Sequence, residues 1–299
     1  TGTTDIHQAL ANSNAMPILA AFDIKAFNEG GRNAVIDVTD FYNGDIPGMQ
    51  LPENLKKTYK IAGIDASRSY IDTVKAFPEN VEVRTIKTFK TPDLPADKTV
   101  GAMTFGLNTS MVLLPKVPMQ PRYDNQRVGY FSNRKIDFGA NDQKVTKKAF
   151  IQRWRLEPSD LEAYSRGELV KPKKQIVYYI DPATPKKWVP YLIAGVNDWN
   201  EAFEAAGFKE AIVAREAPTP QEDPEFSTED ARYSVIRYFA SETENAYGPR
   251  ISDPRSGEII ESHIGWYHNV MSLLRNWFFV QTAAIPVSYT HLTLPTKRI

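Results

Sequence analysis

The sequence predicts an α+β fold with two parts: an antiparallel, β-rich N-terminal domain, followed by a mixed sheet packed by a long helix. Two patterns predict this division. Before residue 114, apolar and polar residues alternate with a period of two, which is typical of strands with one solvated face. After residue 150, short apolar runs alternate with segments of helical period, as in a sheet covered by helices.

Composition places the chain among globular proteins and excludes several kinds of chemistry. Its 299 residues are enough for two domains, and 36 basic residues balance 36 acidic ones. The absence of cysteine excludes disulfides, thiolate metal sites and cysteine nucleophiles. Balanced charge predicts no nucleic-acid partner, and no apolar run reaches the length of a transmembrane segment.

The first domain is predicted over residues 1–114. Strands are expected at 18–22 and 34–38, with turn signals after them. Two longer period-two stripes, 81–89 and 103–113, predict the main antiparallel strands. No helix is predicted between these segments.

Residues 115–149 are predicted to be a connector rich in proline and basic residues. Pro115, Pro118 and Pro121 disfavour regular structure. Aromatic residues interleave with the basic ones at Tyr130 and Phe131, but the neutral chain favours a solvated surface over a nucleic-acid groove.

The second domain, 150–284, begins with a short helix and a buried strand. The capping-box sequence at 159–162 predicts a helix that Gly167 closes. The run 175–180 predicts a strand. A long helix should then start at an N-cap Thr184 and end at Gly207. Its apolar face is formed by Trp188, Leu192, Val196, Trp199 and Phe203.

Further strands are predicted at 211–214 and 233–239, and a strand–turn–strand unit at 251–260. Met271, Leu274 and Phe278 indicate a final amphipathic helix. The residues from about 287 show neither a helical nor an alternating period, and 285–299 are expected to be a non-native tail. A short C-terminal strand is the alternative.

No local motif identifies a catalytic centre. The chain contains no phosphate-binding loop, no nucleophile elbow and no H-E-x-x-H. His263 and His268 are five residues apart, which places them on different sides of a helix or a strand. We therefore predict no catalytic residue and no metal ligand.

Four stretches carry a family resemblance: YYIDPATPKKWVPYLIAGVNDWNEAFEAAGF (178–208), EDARYSVIRYF (229–239), YGPRISDPRSGEII (247–260) and WYHNVMSLLRNWFFVQT (266–282). In combination they resemble the catalytic domain of bacterial zinc-dependent metalloproteases of the metzincin type. The first half looks like the β-rich region that precedes this domain. The resemblance implies a zinc-dependent peptidase that acts on peptide or protein substrates in the periplasm or outside the cell.

The resemblance stops before the residues that bind zinc. In that family the H-E-x-x-H helix, the third ligand and the Met-turn lie downstream of the last matched stretch. No ligand or base can be carried over, so the sequence predicts an inactive fragment in which 150–284 is a partial metzincin-like catalytic domain. Zinc belongs to the full-length parent, and none is expected to bind this chain.

One element of a substrate site is implied. In metzincin-like folds an edge strand pairs with extended substrate, and Ala246, Tyr247 and Gly248 resemble that edge. An ordinary loop before a hairpin is the alternative for these residues. For the whole chain, the alternative function is a non-catalytic extracellular module that binds peptide or glycan.

Overall fold

The computed structural model describes residues 4–13, 17–92, 100–138 and 144–293 and divides into two compact units. The first unit takes its described residues from Thr1–Leu113 and Ile136–Thr146, and the second from Leu114–Lys135 and Lys147–Ile299. Strands outnumber helices, and both parallel and antiparallel pairs occur. The predicted α+β class is confirmed.

The first unit is built on an antiparallel sheet whose central strand is β5. All three of its neighbours, β3, β4 and β6, pair with that strand. In chain order the elements before residue 113 are α1 (Thr4–Ser13), β1 (Ile24–Phe27), β2 (Ala34–Ile36), α2 (Thr39–Asn43), α3 (Glu53–Thr58), β3 (Gly63–Ile64), β4 (Tyr70–Ala76), β5 (Asn80–Lys90) and β6 (Ala102–Val112). The two long stripes of alternating residues are therefore the strands β5 and β6, as predicted.

Strand β5 is paired along both edges, and α2 and the loop after it contact its side chains. Val83 and Phe89 contribute apolar side chains to the core of this unit. Lys87 is also buried, and its Nζ donates hydrogen bonds to the carbonyls of Gly44 (2.6 Å) and Met49 (3.2 Å). The loop after α2 is thereby attached to the centre of the sheet.

Two predictions for the first unit are wrong. Residues 18–22 are irregular, because the turn at 28–33 pairs β1 with β2 and leaves 18–22 beyond the end of that ladder. The helices α2 and α3 interrupt the strands although none was predicted. With five and six residues they are too short to show a helical period in the sequence.

The remaining elements form a hairpin and a larger sheet. In chain order they are β7 (Ser132–Asp137), β8 (Thr146–Ile151), α4 (Leu161–Ser165), β9 (Ile176–Ile180), α5 (Val189–Asn197), α6 (Asn200–Ala205), β10 (Ile212–Glu216), β11 (Ser234–Phe239), β12 (Ala246–Tyr247), β13 (Arg250–Ser252), β14 (Ile259–Tyr267) and α7 (Val270–Thr293). The hairpin β7–β8 overlaps the predicted connector, so the expectation of no regular structure is wrong there. The three clustered prolines all precede it.

The larger sheet has the strand order β10–β9–β11–β14–β12, and β13 also pairs with β14. Strands β10, β9, β11 and β14 are parallel, whereas β12 and β13 are antiparallel to β14. The predicted mixed sheet is confirmed. One face packs against α5, where Ile176, Ile180, Val189, Leu192 and Val196 belong to one core cluster.

The predicted start of the long helix is wrong. Thr184 is buried but does not cap a helix, because the chain first makes a turn in which Trp188 N–H donates to the Pro185 carbonyl (2.9 Å). Helix α5 begins at Val189, with Pro190 in its first turn. A proline is favourable there because its missing N–H would have no partner in the helix.

The predicted long helix is two helices, with a break at Asp198 and Trp199. Trp199 N–H donates to the Val196 carbonyl (3.2 Å), which is the tighter spacing of a 3₁₀ turn. Trp199 is 64% exposed, so its predicted place on the apolar face is wrong. Gly207 has φ of 90° and confirms the predicted C-terminal end.

Two other helix ends differ from prediction. The N-cap of α4 is Asp160, whose Oδ1 accepts from Ala163 N–H (2.9 Å), and Gly167 follows this helix with φ of 83°. Helix α7 extends to Thr293, so the alternative of a short C-terminal strand is wrong as far as this helix extends, and residues 294–299 lie outside the described part. That residues 285–299 are a non-native tail stays a prediction. Within the described ranges, no helix combines the length and apolar character needed to cross a membrane.

Candidate functional site

Strands β12 and β13 are two parts of one edge strand over residues 246–252. Ala246 pairs with Trp266 and Arg250 with Ser262, so both strands keep the same register along β14. The ladder is interrupted at Pro249, which has no N–H to donate. The Pro249 carbonyl still accepts hydrogen bonds from His263 N–H (3.2 Å) and Ser262 Oγ (3.1 Å).

The main chain of this edge strand presents hydrogen-bonding groups to the outside of the sheet. In an antiparallel ladder, successive residues direct their N–H and C=O groups alternately toward and away from the neighbouring strand. Since the Pro249 carbonyl bonds to His263, the groups of Gly248 and Arg250 are directed away from β14. No other described strand pairs with this outer side. The edge can therefore receive an additional extended chain.

The opposite edge, β10, is closed by two asparagine side chains. Asn200 Nδ2 donates to the Ile212 carbonyl (2.8 Å), and its Oδ1 accepts from Ile212 N–H (3.2 Å). Asn197 Oδ1 accepts from Ala214 N–H (3.2 Å). These amides occupy the main-chain groups that an added strand would need, so the two edges of the sheet differ in their capacity to pair.

A groove with a volume of about 350 Å³ lies beside the open edge. Ile264 packs against the core on the α5 side of the sheet. Ser262 lies on the same face because it is two residues away on the same strand, and Arg250 lies there because it pairs with Ser262. The groove therefore opens on that face. We call it the edge groove. It is lined by Gly129, Tyr130, Phe131, Gln152, Trp154, Tyr178, Gly248, Arg250, Ile259, Ser262 and Ile264.

Aromatic side chains form much of the edge groove. Tyr130 and Phe131 are 52% and 72% exposed and are neighbours in the chain, so their rings are accessible to a bound molecule. Trp154 packs edge-on against Tyr178, with ring centroids 6.3 Å apart. Burial raises the pKa of the Tyr178 phenol, so this hydroxyl stays protonated at neutral pH.

Arg250 joins the two sides of the edge groove. Its Nε donates to Gln152 Oε1 (2.6 Å), and its guanidinium lies 4.1 Å from the centre of the Phe131 ring. Gln152 in turn donates to Asn133 Oδ1 (2.6 Å) in the hairpin. The segment around Phe131 is thereby attached to the edge strand.

The turn after β13 anchors this part of the sheet. Arg255 makes a charge-assisted contact with the fully buried Asp253 (2.7 Å) and also donates to the Pro115 carbonyl (2.5 Å). These bonds from Arg255 lower the pKa of the Asp253 carboxyl. Gly257 has φ of 78°, and a Cβ there would overlap the carbonyl of Ile151. The turn therefore requires glycine.

The three residues predicted to bind substrate all lie in or next to the edge strand, but they do not share one surface. Gly248 lines the edge groove, and a Cβ added there would meet only open space. Tyr247 lies on the other face, stacked on Phe239 and covering Gly265, where a Cβ would overlap its ring. Ala246 forms the first rung of β12.

The described residues do not fit the zinc site that the resemblance implies. His263 Nε2 lies 3.4 Å from Glu261 Oε2, and His268 Nδ1 lies 2.5 Å from the hydroxyl of Tyr238. These are separate pairs. Across the part of the chain that the structure describes, no three His, Cys, Asp or Glu residues are placed to hold a metal ion. We therefore assign no catalytic step to zinc here.

Sequence reasoning missed most of the edge groove. The signal for Tyr130 and Phe131 was present as aromatic residues among basic ones, but it was interpreted as a solvated surface. Trp154 and Tyr178 gave no signal, because a period-two pattern identifies a strand without showing what its buried face borders.

The family model described as "Domain of unknown function (DUF5117)" matches residues 1–159. The matched region contains the sheet of the first unit and the part of the second unit that supplies Tyr130, Phe131, Gln152 and Trp154 to the edge groove. Comparison with curated proteins and with solved structures returns no match.

Proposed function

The chain belongs to the DUF5117 family, of unknown function, and on that premise we propose that it binds an extended polypeptide along the edge strand 246–252. The polypeptide adds to the sheet as a further strand. Main-chain hydrogen bonds supply affinity in this mode, and side-chain pockets supply specificity.

The difference between the two sheet edges carries this proposal. At β10, Asn197 and Asn200 bond to the main chain of the edge. At 246–252 the outward main-chain groups of Gly248 and Arg250 lie next to an aromatic groove. Only the second edge offers both unused pairing capacity and a surface for side chains.

We propose further that the polypeptide is the substrate of a zinc-dependent peptidase of the metzincin type, located in the periplasm or outside the cell. The sequence resemblance over 178–208 and 247–260 supports this, since such folds hold substrate on an antiparallel edge strand. In this proposal the described residues bind the substrate, and none of them is assigned a hydrolytic role.

A non-catalytic module that captures peptide or glycan is the second candidate. It is favoured by the exposed rings of Tyr130 and Phe131, together with the lack of a metal-ligand group among the described residues. Metal analysis and a cleavage assay of this chain distinguish the peptidase from the non-catalytic binding module. We expect binding without cleavage and without bound zinc, and one tightly bound zinc per chain would contradict that expectation.

Peptides with methylated amides test strand addition. A fluorescent, acetylated and amidated heptapeptide of alternating Thr and Val is titrated with the protein by anisotropy. Two matched versions carry N-methyl groups on the odd or on the even residues, which removes main-chain donors on one side of the peptide. We expect one version to bind about tenfold or more weakly, since two lost hydrogen bonds cost about 1 kcal/mol each.

The other methylated version serves as the control, because its methyl groups face solvent. It should keep the affinity of the unmodified peptide to within a few-fold. Equal binding of all three peptides would exclude main-chain pairing, and no binding of any would overturn the proposal for peptides of this pattern.

A further inference from the structure

The lining of the edge groove carries a single formal charge. Of its eleven residues only Arg250 is charged at neutral pH, and none is Asp, Glu, Lys or His. The rest are aromatic, aliphatic, amide, hydroxyl or glycine residues. The edge groove is therefore a largely apolar surface with one fixed cation.

The contacts of Arg250 are with uncharged groups. Its guanidinium lies over the Phe131 ring, and its Nε donates to the Gln152 side-chain amide. The carboxylates on the neighbouring turn and strand have partners other than Arg250: Asp253 lies 2.7 Å from the Arg255 guanidinium, and Glu261 lies 3.4 Å from the imidazole Nε2 of His263. A guanidinium held flat by a ring and one hydrogen bond is pre-oriented for a carboxylate.

The register of strand addition brings a side chain of the added polypeptide to this cation. Residues directly opposite each other on neighbouring strands place their side chains on the same face. A residue paired with Gly248 or Arg250 therefore projects onto the face where the edge groove opens. Gly248 has no side chain to fill the space, and a Cβ there would meet nothing within 4 Å.

We infer that the edge groove selects polypeptides with an aspartate or glutamate side chain at this position, and that Arg250 is the residue that determines this specificity. The inference rests on the proposed function, because it assumes that the polypeptide pairs with 246–252. It adds the chemical class of the substrate.

Three peptides that differ at one position test the preference. The series Thr-Val-Thr-Xaa-Thr-Val-Thr, acetylated and amidated, has Glu, Gln or Lys as Xaa. We expect the Glu peptide to bind about tenfold more tightly than the Gln peptide, and the Lys peptide to bind most weakly, because a hydrogen bond to a charged partner is stronger than a neutral one. The difference should shrink as salt is added.

Two arginine variants test the role of Arg250. Arg250→Met keeps an unbranched apolar side chain beside Phe131 but removes the guanidinium group and its charge, so the Glu and Gln peptides should bind equally. Arg166→Met is the matched control, since Arg166 is 58% exposed and pairs with Glu168 after α4. It should leave the tenfold preference unchanged, and circular dichroism verifies that both variants fold.

The results of these binding experiments distinguish a failure of the acidic preference from a failure of the proposed strand addition. Equal binding of the Glu and Gln peptides to the unmodified protein would overturn the acidic preference and leave strand addition in place. A preference that persists in Arg250→Met would overturn the assignment to Arg250. Failure of all three peptides to bind would overturn both the inference and the proposed function.

Discussion

A buried cation illustrates how single residues constrain this protein. Lys87 lies in the centre of β5, 1% exposed, and its charge is solvated by the carbonyls of Gly44 and Met49. Burial lowers the pKa of its ammonium group below the ordinary value of 10.5, and the nearby Asp45 charge offsets part of that effect. A protonated lysine without a directly contacting carboxylate is costly to bury, so its hydrogen bonds must be intact.

The lowered pKa predicts a pH dependence of stability. The unfolded chain holds the Lys87 proton more strongly than the folded chain, so the free energy of unfolding rises with pH between the lowered folded-state pKa and 10.5. Urea unfolding at pH 8, 9 and 10 should show this rise in the native protein. The rise should be smaller in Lys87→Met.

The same substitution should also reduce stability at every pH. The half-buried carbonyls of Gly44 and Met49 lose their donor in Lys87→Met, at about 1 kcal/mol each. Lys90→Met, at an exposed position at the end of the same strand, is the control and should change little. If Lys87→Met kept the full pH slope of the native protein, the assignment of that slope to Lys87 would be wrong.

At the scale of elements, hydrophobic period predicted strands better than helices. Strands β5 and β6 were predicted nearly to their ends by alternation, and β9 by its run of β-branched and aromatic residues. The expected single solvated face is wrong for β5, which has buried residues on both faces. The sequence predicted one continuous helix across Trp199, and this was wrong because Asn197 and Asn200 bond to the main chain of β10. The pattern of hydrophobic residues contains no information about such bonds. Helices α2 and α3, with five and six residues, were too short to show a helical period.

The closure of the β10 edge predicts a gain of self-association. In the double variant Asn197→Ala, Asn200→Ala, the main-chain groups of Ile212 and Ala214 lose their side-chain partners and become a template for another strand. Sedimentation velocity should show concentration-dependent association beyond that of the unmodified chain.

The control for this variant is Asn269→Ala, which removes an asparagine side chain that donates to the Glu242 carbonyl away from β10. It should sediment as the unmodified chain does. If the double variant did the same, the two asparagines would have a role only in positioning α5 and α6.

At the scale of the whole molecule, the α+β class, with an antiparallel sheet followed in the chain by a mixed one, was predictable, but the site was not. The edge groove collects residues from 129–131, 152–154, 178, 248–250 and 259–264, which meet only when the second unit is folded. Of these, the sequence singled out Gly248 through a family resemblance. The family match over 1–159 reaches part of the groove but leaves its function open.

Amide hydrogen exchange with bound peptide tests the central claim most directly. On addition of saturating alternating Thr–Val peptide, the amides of Gly248 and Arg250 should become protected, because they face outward from the edge strand. Those of Ile212 and Ala214 should not change, because asparagine side chains already occupy them. Protection at β10, or unchanged exchange at both Gly248 and Arg250 in the bound protein, would contradict the account.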